Sequence, residues 1–181
     1  EAEPYSNLVS RTSQADGAHN DVFGTIDQMP SRTVKDYENI ITRLRKLPAY
    51  IDQTIDVMRE QLAAGLAQPL VVVDLMLDQL TAQRRLLPFD SPLLAAFQHF
   101  PDTIPISTQR RLRADAAAAY TQQFVPAWTK LERYLRDRYR PKARTRAGLV
   151  AWKDGSTAYA RLIKHYTTTN AAPEQVHQIG L

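Results

Sequence analysis

STQRRLRADAAAAYTQQFVPAWTKLERYLRDRYR, residues 107–140, decides the fold. The stretch has no glycine and one interior proline, Pro126, and is long enough for about nine helical turns. Leu112, Ala116, Tyr120, Phe124, Trp128, Leu131, Leu135 and Tyr139 form an apolar stripe with mostly four-residue steps. Such a stripe drifts around a straight helix. Pro126 removes the donor for the Gln122 carbonyl, so a kink is expected there, re-aiming the second half. Ser107 is the expected cap. The helix is expected to stop by Arg140, because Pro141 disfavours the α region before it.

Shorter helical patterns flank this stretch. Thr33-Val34-Lys35-Asp36 reads as a capping box with Asp in place of Glu. Val34, Tyr37, Ile41 and Leu44 then make one apolar face. Pro48 suits the first turn of the next helix, in which Ile51, Ile55, Met58 and Leu62 recur; Gly65 is its expected C-terminal cap. Pro69 opens a third helix, running through Gln83. It is apolar nearly all round, the pattern of a helix buried between neighbours; a strand at Leu70 to Val73 is the alternative. Ser91-Pro92 precedes a short helix carrying Leu93, Leu94 and Phe97. Beyond the long stretch, Tyr159, Leu162, Ile163 and Tyr166 mark one helix and Val176, Ile179 and Leu181 another. Residues 1–32 lack periodicity and are punctuated by Pro4, Gly17, Asn20, Gly24 and Pro30, so an irregular segment or tail is expected. The fold class expected is all-α: an irregular helical bundle, one domain over residues 1–181, built around one long kinked helix at about 107–140.

Composition excludes several functions. The 181 residues include no cysteine, which rules out disulfides, thiolate metal sites and cysteine nucleophiles. No apolar run is long enough to span a membrane. No nucleophile elbow, phosphate loop or dinucleotide fingerprint occurs. Glu174 and His177 have Glu-x-x-His spacing, but a di-iron bundle needs a second such motif, and none is present. Asp52, Asp56 and Glu60 share a polar face. Acid–base catalysis needs one carboxylate of a pair desolvated, and Asp74 and Asp78, at i, i+4 on a more apolar helix, suit that better; pairing with Arg84 or another arginine is the plainer reading. The net charge of +4 is concentrated in one place. Residues 130–146 carry Lys130, Arg133, Arg136, Arg138, Arg140, Lys142, Arg144 and Arg146 against Glu132 and Asp137. An anion or nucleic-acid surface is one reading of that run; the favoured one is a solvated or internally paired face, because Tyr134 and Tyr139 fall on or beside the apolar stripe.

A family resemblance rests on the order of several short segments. They are Tyr134-Leu135-Arg136-Asp137-Arg138-Tyr139-Arg140-Pro141-Lys142-Ala143-Arg144, Gly148-Leu149, Asp154-Gly155, Tyr159, Thr167-Thr168-Thr169 and Pro173 to Leu181. Asp36-Tyr37, Arg43-Leu44, Pro48 and the Ile51 to Gly65 helix add an earlier part. Together they resemble the bacterial family filed as domain of unknown function (DUF) 885, from about Pro30 to Leu181. Lys153 departs from it, where proline often precedes the Asp-Gly turn; this bears on loop shape.

The resemblance implies mostly helical proteins that look like zinc metallopeptidases of the gluzincin kind. Their metal site is carried by a His-Glu-x-x-Pro-Gly-His motif and a later glutamate, which no position here matches. An internal fragment without the zinc site is therefore expected, consistent with a chain that starts at Glu1 and has an uncapped last helix. No catalytic and no metal-binding residue is assigned. Tyr159 and His177 are the candidates for contact with substrate or for support behind a metal ligand; the plainer reading is a packed tyrosine and a surface histidine. No cofactor is expected in this segment, and zinc is implied for the parent. The expected partners are the remainder of the parent chain and, for the parent, a peptide; a protein-interaction module is the alternative function. A bacterial and exported or periplasmic location is the accompanying expectation.

Overall fold

The computed structural model describes residues 13, 15–152 and 154–180. Among these, eight α-helices follow one another: α1 (Ala18–Asp27), α2 (Val34–Arg45), α3 (Leu47–Ala63), α4 (Leu70–Arg84), α5 (Ile106–Ala119), α6 (Val125–Tyr134), α7 (Gly155–Thr167) and α8 (Pro173–Ile179). Short 3₁₀ turns fill the connections at Pro88–Asp90, Pro92–Phe97, Arg140–Lys142 and Leu149–Ala151. The only extended pairing among the described residues is an isolated parallel bridge between Pro69 and Arg144. The all-α class follows directly, and α4 replaces the alternative strand at its start.

Local chemistry sets the early boundaries. The Thr33 hydroxyl accepts the Asp36 N–H at 3.3 Å, and Asp36 returns the favour to the Thr33 N–H at 2.8 Å, so the capping box forms with Asp in the Glu place. Pro48 sits in the first turn of α3, where its missing N–H costs nothing. Gly65, at φ +72°, ends α3: the Leu66 N–H reaches the Gln61 carbonyl at 2.8 Å and the Gly65 N–H that of Leu62 at 3.2 Å. These two bonds are a Schellman motif.

The long stretch is helical throughout, but not of one pitch. Between α5 and α6, Tyr120–Phe124 forms a π turn; a second, Leu135–Tyr139, follows α6. The Val125 N–H bonds the Tyr120 carbonyl and the Arg140 N–H that of Leu135, each five residues back. Both π turns end two residues before a proline, Pro126 and Pro141. On leaving a π turn the hydrogen-bond ladder skips one backbone carbonyl, and a proline, which has no N–H to give, fits where the ladder is already interrupted. The expected kink site at Pro126 is thus marked by a change of helical register.

That register change explains the stripe. From Leu112 to Tyr139 a straight α-helix would turn the last residue about 180° away from the first. Each π turn takes back roughly 100°, leaving a mismatch of about 20°. All eight stripe residues are accordingly buried, from Leu112 to Tyr139.

Two expectations are corrected here, and so is the reason for a third. Ser107 does not cap the long helix: the chain turns helical at Ile106 after an extended Pro105, and no side-chain cap forms. The long helix does stop by Arg140, which caps the π turn ending at Tyr139, but not for the expected reason: Arg140 stays in the α region and opens the Arg140–Lys142 3₁₀ turn, with Pro141 in the first-turn place that proline tolerates. Within the segment expected to be irregular, 1–32, residues 18–27 form α1. Its Val22 and Ile26 are buried, and Phe23 sits edge-on to Phe124 and Trp128, with centroids 6.2 and 6.3 Å away. Tertiary packing outweighs the weak propensity of Gly24 and Asn20 there. Residues 1–12, Lys153 and Leu181, on which further expectations fell, lie outside the described residues.

The core is laid against the long helix. α2 packs on α5, and α3 and α4 on α6. Tyr120, Phe124 and Trp128 stack along it with successive centroids 4.6 and 4.4 Å apart. A second aromatic group, Tyr37, Phe97 and Phe100, ties α2 to the turn after Ser91, and the Ser91 hydroxyl accepts the Leu93 N–H. α4 is buried on one side only. Val73, Met76 and Leu80 face the core, whereas Val71 and Leu75 are 60% and 45% exposed. The all-round burial expected of this helix is therefore not reached among the described residues.

Candidate functional site

α7 carries Tyr159 and α8 carries His177, the two positions singled out from the sequence. Asp154, in the left-handed region at φ 59°, precedes α7, and Thr168 at φ 58° ends it. The Thr167 hydroxyl bonds back to the Ile163 carbonyl and to the Thr169 hydroxyl, so the Thr-rich run terminates the helix as its chemistry predicts. α7 and α8 contact each other, and α7 packs on the Leu149–Ala151 turn. Ile163 is buried, but Tyr159, Tyr166 and Ile179 are 40%, 79% and 83% exposed, and His177 is exposed too. The arm therefore presents apolar side chains to its surroundings, and Tyr159 and His177 both lie on its surface.

Half of the basic run, Lys130, Arg136, Arg140 and Arg144, is engaged within the chain. Lys130 meets Asp52, Arg136 meets Glu132, and Arg140 forks onto Asp74 at 2.7 and 3.3 Å. The expected partner of Asp74 is thus an arginine, Arg140 and not Arg84. Arg144 donates to the Ala67 carbonyl at 2.6 Å and the Gly148 carbonyl at 2.8 Å, and lies 5.0 Å over the Trp152 ring. Arg144 also bonds through its backbone to Gln68 and Leu70, pinning the segment after the long helix to the start of α4. Arg140 hydrogen-bonded to Asp74 holds that carboxyl below its usual range.

Two buried polar clusters had no sequence signal. Glu132 on α6 accepts Arg84 of α4 at 2.8 Å and Thr81 at 3.3 Å, and also pairs with Arg136. Burial pushes its carboxyl pKa up, but the hydrogen bonds and charges of Arg84 and Arg136 outweigh this and the net effect is downward. His19 on α1 is fully buried, its Nε2 2.8 Å from the Gln79 amide oxygen of α4, and its Nδ1 has no partner among the described residues. Burial lowers the pKa of this imidazole, against weaker upward effects of Gln79 and Asp21. Next to it, Gln83 donates to the His19 carbonyl at 3.2 Å and accepts the Trp128 indole N–H at 2.9 Å.

The described residues do not fit a zinc ion: no three His, Asp or Glu side chains among them gather as a metal site would require. The buried imidazole of His19 faces an amide, where a zinc-binding histidine would face further ligands.

Fold and side-chain arrangement together define an all-helical bundle packed on one long, twice re-registered helix, with an apolar two-helix arm. The chain belongs to the bacterial family described as "Bacterial protein of unknown function (DUF885)", which matches residues 3–181. Among solved structures, one described as "the putative lipoprotein from Colwellia psychrerythraea" superposes with a TM-score of 0.86 at 21% identity, over 93% of this chain. The chain spans 29% of that neighbour's length, and likeness at this identity shows the fold alone. No curated protein matches the chain in sequence. No helix of the described residues is long and apolar enough to cross a membrane.

Proposed function

We propose that this chain is a non-catalytic helical scaffold within a longer bacterial protein, and that its arm helps to form the wall of a substrate cleft. The carrying observation is the apolar surface of α7 and α8, where Tyr159, Tyr166 and Ile179 stand exposed beside a well-filled core. Isolated exposed apolar residues are ordinary, but three large ones on one small arm fit a surface that packs on more protein. The 29% share of the structural neighbour's length supports the same reading. The parent chemistry we infer is zinc-dependent peptide hydrolysis; its support is the resemblance carried by Tyr134 to Arg144 and Pro173 to Leu181. An exported location is in keeping with the description of the Colwellia protein as a lipoprotein.

Zinc content and hydrolysis of a fluorogenic peptide library, measured on this chain and on the longer protein containing it, test the proposal. Metal-free, inactive chain with a zinc-loaded, active parent is the expected result. Stoichiometric zinc or robust hydrolysis in the chain alone overturns it, and so does a metal-free, inactive parent.

A protein-interaction module without a catalytic parent is the second reading, favoured by the same exposed residues. A nucleic-acid role is the weaker alternative, because Lys130, Arg136, Arg140 and Arg144 are engaged within the chain.

A further inference from the structure

A groove of about 550 Å³ lies between α1 and the corner where α2 passes into α3. Val22 and Leu47, both buried, and half-buried Met29 give it apolar lining, with Tyr50 beside them. Exposed Thr25, Asn39 and Thr42 add neutral polar groups. Its charges come from two sources. Asp21 belongs to α1, whereas Arg43 and Lys46 belong to the α2–α3 corner. No ion pair among the described residues engages any of the three, although other basic side chains here, such as Arg84, Arg111, Lys130 and Arg140, are paired.

This pattern discriminates between ligand classes. A plain anion suits Arg43 and Lys46 but is repelled by Asp21. A plain cation meets the reverse. An uncharged apolar ligand would strip water from all three charges without replacing it. A molecule carrying both charges around an apolar middle satisfies the whole lining. We infer that the groove binds a zwitterion with an apolar body, an α-amino acid or short peptide: its carboxylate on Arg43 and Lys46, its ammonium toward Asp21, its side chains on Val22, Met29 and Leu47. Thr25, Asn39 and Thr42 supply hydrogen bonds of the kind a peptide amide takes. Because the charged groups are exposed, each pairing is weak, and the affinity is of the millimolar kind. The inference concerns this chain alone and is independent of any catalytic parent.

The test is a titration of isotope-labelled chain with L-leucyl-L-leucine, followed by amide NMR shifts. Two blocked probes accompany it: the N-acetyl dipeptide, which lacks the ammonium, and the dipeptide amide, which lacks the carboxylate. The dipeptide is expected to shift amides of residues 21–29 and 39–50 saturably, and either block to weaken binding by about fivefold, as loss of one exposed ion pair would. Asp21→Asn is expected to weaken the free dipeptide but not the acetylated one. Arg43→Gln combined with Lys46→Gln is expected to weaken both. All three side chains are exposed, so the variants keep the fold, and the unshifted core amides report this. Absence of saturable shifts, shifts elsewhere, equal affinity for the three probes, or full binding by the Arg43/Lys46 double variant overturns the inference.

Discussion

Glu132 receives Arg84 at 2.8 Å while its own side chain is only 5% exposed, so α4 is tied to the long helix by a nearly buried ion pair. Removing Arg84 leaves the carboxylate with Arg136 and Thr81 only. Arg84→Met is expected to destabilise by about 2 kcal/mol, less than for a fully buried pair because Arg84 is partly exposed and Arg136 remains. Glu132→Gln is expected to change the acid limb. The folded-state pKa of Glu132 is depressed, so the unfolded chain binds the proton first on acidification. Its stabilisation is present above about pH 4.3 and is lost as pH falls through the lower folded-state value. Urea unfolding between pH 3 and 6 should show a shallower loss in the variant; an unchanged acid limb would contradict the assignment.

His19 contributes at a higher pH. Its folded-state pKa is lowered by burial, so the unfolded chain takes up a proton where the native one resists. Stability should be full above about pH 6.5 and decline as pH falls below it. His19→Gln is expected to flatten that decline, at some cost in packing. Thermal unfolding from pH 5 to 7.5 measures the slope in both proteins.

The π turns make a sharper prediction. Gln122 is exposed within the Tyr120–Phe124 turn, so Gln122→Ala should shift stability by less than about 0.5 kcal/mol. Deleting Gln122 removes the extra residue that the π turn absorbs, so the helix can run as plain α with Leu112, Ala116 and Tyr120 still in register with Phe124 and Trp128. The loss should stay below about 2 kcal/mol. Chemical denaturation of the two variants measures it, and a loss above about 4 kcal/mol on deletion, comparable to truncating a core aromatic, would refute the register account.

Gly65 tests backbone strain without crowding. A Cβ there meets no atom within 4 Å, but φ is +72°. Gly65→Ala should therefore cost about 1 kcal/mol through conformation alone. The denaturation midpoint reports it, and a neutral substitution would mean that the Schellman end relaxes.

What the sequence revealed was local. Thr33, Pro48 and Gly65 declare their caps within four or five residues, and the stripe from Leu112 to Tyr139 declares its helix by spacing alone. The four-residue steps even carried the signal for the π turns: a stripe that ought to drift yet is needed on one face requires extra residues somewhere, and a proline follows each place. α1 was missed because its helix depends on Val22, Phe23 and Ile26 meeting a core built from distant residues. Glu132 with Arg84, and His19 with Gln79, are 48 and 60 positions apart, so no spacing rule connects them. Tyr159 and His177 were chosen by resemblance, and their surface positions on α7 and α8 bring no geometry of their own to that choice.

Hydrogen exchange along α7 tests the scaffold account most directly. Residues 155–167 should exchange quickly in this chain alone and become strongly protected in the longer protein, as Tyr159 and Tyr166 are covered. Equal protection in both would contradict the account, because it would leave the arm's apolar face without an occupant.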